Sequence, residues 1–230
     1  MICVECGAAV NELYREFGSP DRIRLSTCAA CGSFADEYVE CDKVLLGLRL
    51  ALMRRSAYRH LLFNAIPYKD QGIPRQLVML AVACIFCEAW AKGRAEHGSW
   101  TVEPDVWMAN LGASLVQDAA AIVGVLAAIW WHYASNGLAM VKYNYCVMAM
   151  VLAMFGRLLV GVLFIWDYDA RYLYLLHWYV VASSVASLSA WLVDPMSTAL
   201  VFVAVGQACR IGVTVAMQQV QTSLRFPLLV

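Results

Sequence analysis

The sequence predicts an α-helical multi-span membrane protein with a small amino-terminal β ribbon, on three observations. The 230 residues are 62% hydrophobic and only 15% charged, with a mean hydropathy of +0.62, whereas about a quarter of a soluble domain is charged. The charge is also uneven. Ten of the seventeen Lys and Arg precede Gln76, and long apolar runs follow. Third, one five-residue pattern occurs twice near the start, as Cys3-Val4-Glu5-Cys6-Gly7 and Cys28-Ala29-Ala30-Cys31-Gly32. The chain therefore divides into a polar head, 1–64, a linker, 65–74, and a membrane body, 75–230.

Two cysteines three apart reach one metal ion only where the chain turns sharply between them. A glycine after the second suits that turn, because it tolerates positive φ. Twenty-one residues separate the pairs, enough for a short hairpin that brings them together. Thiolates from Cys3, Cys6, Cys28 and Cys31 then close a tetrahedral zinc site with no open position, which is structural zinc rather than catalytic zinc. Two disulfides or two redox-active CxxC motifs are the competing readings. The separation lies just outside the usual ribbon window, and the doubled CxxCG outweighs that. Gly18-Ser19-Pro20-Asp21 reads as a turn. After it, 22–27 alternates polar and apolar like a half-buried strand, with 11–15 as its weaker partner. So small a ribbon buries little core, which leaves its stability to the metal.

Beyond Ala35 the period lengthens. Val44, Leu45, Leu48, Ala51 and Leu52 share a helical face, while Lys43, Arg49, Arg54, Arg55 and Arg59 supply basic charge. The apolar run is too short to span, so it reads either as a basic helix in the headgroup layer or as a helix packed on the ribbon. Five spans follow, near 75–91, 110–133, 145–166, 172–193 and 196–217, each approaching the length of about 20 residues that crosses a bilayer. The start lacks the basic and apolar regions of a signal peptide, and Lys69 and Arg75 flank the first span. Both features predict a cytosolic amino terminus, where thiols stay reduced. Trp100, Trp107, Trp130, Trp131, Trp166 and Trp178 fall near predicted span ends, as interfacial aromatics do. Five spans put the tail, 218–230, on the opposite side.

Charges within spans are costly. Arg157 and Arg210 either pair with Glu88 or Asp118 inside the bundle or face a headgroup-lined cavity. His177 reads as a hydrogen-bonded helix residue, and His97 and His132 as interfacial. Cys84 and Cys87 form a third CxxC without the glycine, read as two buried structural cysteines. HxxxxD, GxSxG and HExxH patterns are all absent, so acyltransferase, lipase and protease chemistry have no residues to stand on. A membrane enzyme using His60 or His177 lacks a nameable catalytic partner. Ten basic and nine acidic residues through Arg75 give the head no field for nucleic acid.

CVECG, then IRLSTCAACGSFADEYVECD, then YRHLLFN before the first span closely resemble the Arv family over 1–64. The resemblance implies a multi-pass endoplasmic-reticulum membrane protein tied to sterol uptake, sterol and lipid transport and distribution, and sphingolipid balance. It implies no enzyme activity of its own. It equally allows a scaffold that stabilises a glycosylphosphatidylinositol-biosynthesis enzyme complex. Its partners would be membrane lipids, sterol above all, or that complex. Carried over by position, Cys3, Cys6, Cys28 and Cys31 are the zinc ligands. Tyr58, Arg59, His60 and Asn64 match a second hallmark to which the sequence assigns no chemical role. Cys41 departs from the family, which has an aromatic residue in that segment, and Arg54-Arg55 also differs from the family's usual stretch.

Overall fold

A computed structural model describes residues 1–17, 19–65, 72–97, 103–135, 143–165, 171–192 and 195–225. Two strands, β1 (Tyr14–Phe17) and β2 (Ser19–Leu25), pair antiparallel with Tyr14 opposite Leu25, and a bulge falls between Glu16 and Phe17. Ser19, Pro20 and Asp21, expected in the turn, belong to β2, and Gly18 lies outside the described residues. Both strands of so small a ribbon are edges, where a proline without an amide hydrogen is tolerated. Thr27 leaves the predicted strand and forms an isolated bridge with Phe34 across the second knuckle. Ile2 and Ala9 do the same across the first.

The expected basic helix is two helices. The first, α1 (Lys43–Ala51), stops because Met53 takes φ +55°, the left-handed position that glycine usually fills. There the Met53 amide donates to Leu50 O (2.9 Å) and the Arg54 amide to Arg49 O (3.1 Å), which satisfies the last carbonyls. Next comes α2 (Arg55–Arg59), which runs into a π-helical turn, His60–Ala65. Such turns widen the helix and re-aim its side chains.

Five segments are long and apolar enough to cross a membrane: Arg75–Ala95, Pro104–Ala134, Tyr143–Val162, Tyr172–Trp191 and Met196–Val220. They lie in α3 (Arg75–His97), α4 (Pro104–Ser135), α5 (Tyr143–Ala153) with α6 (Val160–Ile165), α7 (Tyr172–Trp191) and α8 (Met196–Arg225). The helices α3, α4 and α8 outrun the predicted spans because helical hydrogen bonding continues where the apolar stretch stops. Residues 218–225, expected in a tail, thus continue α8. A tighter 3-10 stretch, Met154–Leu159, joins α5 to α6 and carries Arg157. Lys69, Trp100 and Trp166, and linker residues 66–71, lie outside the described residues. Trp130, Trp131 and Trp178 are exposed, as residues facing lipid would be.

Small residues set the close approach of α4 and α8. A Cβ at Gly206 would lie 2.8 Å from the Ala121 carbonyl oxygen, and one at Gly124 would lie 2.8 Å from Cys209 Sγ. In lipid, packing of this kind replaces the hydrophobic drive between helices. One core joins Val125 and Ile129 of α4 to Cys146, Leu188, Phe202 and Val203. The other crosses from head to body, with Leu50, Tyr58 and Leu62 packed among Leu77, Met148, Leu152, Ala186 and Ala190. The head is therefore docked against the start of α3, the body of α5 and the second half of α7.

Candidate functional site

Each knuckle is closed by its glycine. The Gly7 amide donates to Cys3 O and the Gly32 amide to Cys28 O, both at 2.9 Å, with φ +80° and +74° at the two glycines. The ribbon then brings the knuckles face to face. The sulfurs of Cys3, Cys6, Cys28 and Cys31 all lie within 4.8 Å of one another. Cys3 to Cys31 and Cys6 to Cys28 are each 3.7 Å. A tetrahedron with metal–sulfur bonds of about 2.3 Å has edges of about 3.8 Å, so the four thiols fit one tetrahedral ion. Backbone amides support the sulfurs from behind. Amides of Cys31 and Ala30 bring the Cys28 thiol down to about 7. Burial pushes the Cys3 thiol up to about 12, against the amides of Cys6 and Glu5.

The four residues of the second hallmark divide between the interior of the head, where His60 and Asn64 point, and the joint with the spans, where Tyr58 and Arg59 reach. Asn64 brackets the backbone of Ile2, accepting from its amide (3.1 Å) and donating to its carbonyl (2.9 Å). Asn64 Nδ2 also donates to Asp36 Oδ2 at 2.7 Å, and His60 Nδ1 lies 2.7 Å from that same oxygen. Asp36 is fully buried, and its other oxygen accepts from the Tyr38 amide at 3.0 Å, capping a short 3-10 turn. One carboxylate thus ties the exit of the second knuckle to the π-helical turn, which in turn grips the chain entering the first.

Tyr58 and Arg59 face the other way. The Tyr58 hydroxyl lies 2.6 Å from Ser183 Oγ and 3.4 Å from Leu50 O. Burial pushes that phenol up to about 12, so it stays a protonated donor. Arg59 reaches three carbonyls: Val4 (3.1 Å) and Glu5 (2.5 Å) in the first knuckle, and Ala190 (3.2 Å) at the end of α7. Arg55 donates to Ser189 O at 2.8 Å. The last carbonyls of a helix lack internal partners and sit at the negative end of its dipole. Two arginines cap α7 there. Burial and neighbouring Arg55 lower the Arg59 pKa, while Glu5 and the Cys6 and Cys3 sulfurs oppose this. Arg49, expected to supply charge to the headgroup layer, instead pairs with Glu37 and lies over the Tyr38 ring.

The intramembrane charges converge. Arg157 makes a two-pronged contact with Asp118, at 2.5 and 2.7 Å, and its Nη1 lies 2.7 Å from Glu88 Oε2. Arg210 pairs with Glu88 and lies 3.4 Å from Asp118. Lys92 completes the cluster through Glu88 (2.9 Å), Gln117 (2.6 Å) and Ser114 (2.9 Å). Beside it lies a cavity of about 460 Å³, lined by Glu88, Lys92, Arg157, His177 and Arg210 and walled by apolar residues of α7. Pairing and a cavity thus occur together.

His177 lines that cavity, whereas His132 packs edge-on against Tyr133 and Phe202. The His97 side chain lies outside the described residues. Cys84 is buried and donates to Met154 O at 3.2 Å, but Cys87, expected buried, is only partly so because it sits further round α3. Cys41 donates to Glu37 O and packs on the small core of Val4, Tyr38 and Ala57. Asp36, Lys92 and Ser183 are the members that sequence reasoning missed. Only Lys92 had a local signal, four residues after Glu88 on one helical face.

Five helices long and apolar enough to cross a membrane, capped by a hydrogen-bonded head whose four cysteines lie at metal-binding distance, define a multi-pass membrane protein with a built-in cysteine ribbon. The chain belongs to the Arv1-like family, whose model matches residues 2–188. It is 35% identical over 223 residues to "Protein arv1 homolog" of Dictyostelium discoideum, covering 90% of each chain. It is 25% identical over 177 residues to "Protein ARV1" of Bos taurus, covering 73% of this chain and 60% of the bovine one. Over a shorter stretch of 67 residues it is 49% identical to "Protein arv1" of Schizosaccharomyces pombe, which is 29% of this chain and 25% of that protein. No solved structure matches it.

Proposed function

We propose that this protein is a non-enzymatic mediator of sterol and lipid homeostasis in the endoplasmic-reticulum membrane, with its head in the cytosol and one structural zinc on Cys3, Cys6, Cys28 and Cys31. In this reading it takes part in sterol uptake, in intracellular sterol and lipid transport and distribution into membranes, and thereby affects sphingolipid metabolism. The head (1–64) and the body (75–230), joined by 65–74, act as its working units. The observation that carries the reading is the setting of α1. Its neighbour α2 is bonded along α7 through Arg55, Tyr58 and Arg59, yet Val44, Leu45 and Leu48 of α1, and Leu52 just past its end, are exposed. An apolar helix face held rigidly beside membrane spans suits contact with lipid. The test is labelling with a photoactivatable sterol in vesicles of phosphatidylcholine. The expected labels fall on α1 and the adjoining spans and are lost in Cys28→Ser. Labelling no stronger than that of an unrelated five-span protein would sink the reading.

A second reading, a scaffold for a glycosylphosphatidylinositol-biosynthesis enzyme complex, has its own support. The ribbon exposes Tyr14, Phe17 and Phe34, and Phe17, Ile23, Leu25 and Phe34 line a shallow groove of about 660 Å³. Aromatics exposed on a polar module suit docking to protein. Crosslinking through the ribbon separates the two: capture of enzyme subunits supports the scaffold, and capture of lipid alone counts against it.

A further inference from the structure

The cavity beside the ion cluster has a charge imbalance. Lys92, Arg157 and Arg210 contribute three positive charges, and their partners Glu88 and Asp118 contribute two negative ones. Arg171 lines the same cavity at the start of α7. Among the described residues, the cluster itself is therefore net cationic by one charge.

Its depth matters. Glu88, Arg157, His177 and Arg210 each lie 13 or 14 residues from the end of the element that enters at the head, about 20 Å of helix. Excess positive charge inside a span favours a partner of opposite sign. A ligand that brings one negative charge would balance it.

The walls specify the rest of the ligand. Val160, Leu173, Leu176 and Val180 line the cavity, and Leu176 is shared with a second, apolar groove of about 330 Å³ that also runs past Leu159, Val162 and Tyr179. Beside it on α7, Leu175 and Trp178 are exposed as a lipid-facing surface would be, and exposed Tyr174 sits on the cavity's rim. A charged floor beside an apolar groove matches an amphiphile rather than a free ion. A few hundred Å³ is the size of a pocket that buries most of a small ligand.

We propose that this cavity binds one lipid carrying a net monoanionic phosphate headgroup. The phosphate sits against Lys92, Arg157 and Arg210, and the chains leave over Leu176 toward the bilayer. The proposal rests on the lipid-handling reading and names the headgroup chemistry that the membrane body would recognise.

The test uses the full chain, zinc-loaded and in detergent, with lipid retention counted by native mass spectrometry. Four probes are compared: phosphatidylglycerol, phosphatidylcholine, diacylglycerol and glycerol phosphate. One retained phosphatidylglycerol per chain, with weak retention of the other three, is the expected result. Lys92→Gln removes a charge-assisted contact and should weaken retention about tenfold. Leu176→Trp, which leaves every charge in place, should crowd both the cavity and the groove and give a comparable loss. Arg15→Gln, on the exposed ribbon, should change nothing. Equal retention of phosphatidylcholine or diacylglycerol overturns the proposal, as does retention unchanged in both cavity variants. Glycerol phosphate binding as tightly as the lipid overturns it too, because the site would then be a soluble-anion site. Sterol labelling that persists when selective phosphatidylglycerol retention is absent sinks this inference and leaves the sterol reading standing. Selective retention without sterol labelling does the reverse.

Discussion

Arg59 offers the sharpest test of how head and body are joined. Its guanidinium reaches the first knuckle and the end of α7 together, through Val4, Glu5 and Ala190 carbonyls at 3.1, 2.5 and 3.2 Å. A planar fork can serve carbonyls on two sides, whereas an ammonium is a point charge on a flexible stem. Arg59→Lys keeps the charge and at best one of the three bonds. Hydrogen bonds from a charged donor contribute about 1.5–3 kcal/mol each. Two lost bonds, partly replaced by water at the exposed Glu5 carbonyl, leave a net cost of about 2–4 kcal/mol, or about 30- to 1,000-fold in the docking equilibrium.

Hydrogen exchange on the full chain in lipid nanodiscs reads this directly. The amides of Cys3, Val4 and Gly7, bonded to Ala8, Ala35 and Cys3 carbonyls, should exchange faster in Arg59→Lys by a factor in that range. Arg59→Gln removes the charge as well. Because Arg59 sits beside the Cys3 and Cys6 sulfurs, its loss should also speed zinc release to a chelator about 10- to 100-fold, the usual scale for a group supporting metal ligands. Unchanged exchange in Arg59→Lys together with unchanged zinc release in Arg59→Gln would show the contact to be incidental.

Three further outcomes follow from the same geometry. Cys28→Ser or Cys31→Ser should take the intact protein from one zinc per chain to none, measured by elemental analysis; a full complement of metal in either variant refutes the four-thiolate site. Gly206→Ala places a methyl 2.6 Å from Val125 Cγ2 and 2.8 Å from the Ala121 carbonyl oxygen, and should destabilise the α4–α8 contact by about 1–3 kcal/mol, read as a lower melting temperature in detergent. Asp118→Asn leaves the buried Arg157 without its two-pronged partner and should cost about 3–5 kcal/mol. The loss is seen as a smaller monodisperse peak on size exclusion, and Asp118→Glu, which keeps the charge, should retain more of that peak than Asp118→Asn does.

How much of this was legible beforehand depended on whether a signal was local. The knuckles were, because two short cysteine spacings with glycines carry their geometry within five residues. The spans were, because length and apolarity are properties of a segment. The joint was not. Arg55 and Arg59 share a helical face, and the sequence displays their charge without displaying the acceptors, so they read as basic residues for headgroups although they cap α7. Asp36 is one carboxylate in a polar stretch, and its three partners are the Tyr38 amide, His60 and Asn64, brought together only when the ribbon closes. The break at Met53 was hidden for a similar reason. A left-handed methionine has no sequence signature, and it is held there by the core that Met53 helps to pack.

The two regions of interest share a helix. The end of α7, from Ser183 to Ala190, receives Tyr58, Arg55 and Arg59 from the head. Its beginning, Leu173, Leu176, His177 and Val180, lines the cavity. Between them the Tyr179 hydroxyl donates to the Ala51 carbonyl at 2.7 Å, one residue from a cavity-lining position. A rigid helix fastened by its end to the four-cysteine head holds its other half in place against the ion cluster. Loosening the head should therefore loosen the cavity wall. Arg59→Lys, which touches no cavity residue, should lower phosphatidylglycerol retention alongside its effect on knuckle exchange, and Arg15→Gln should lower neither. Retention that stays at the wild-type level while the head undocks would show that the two halves of α7 work independently, and the four-cysteine ribbon would then serve only the surface on which it sits.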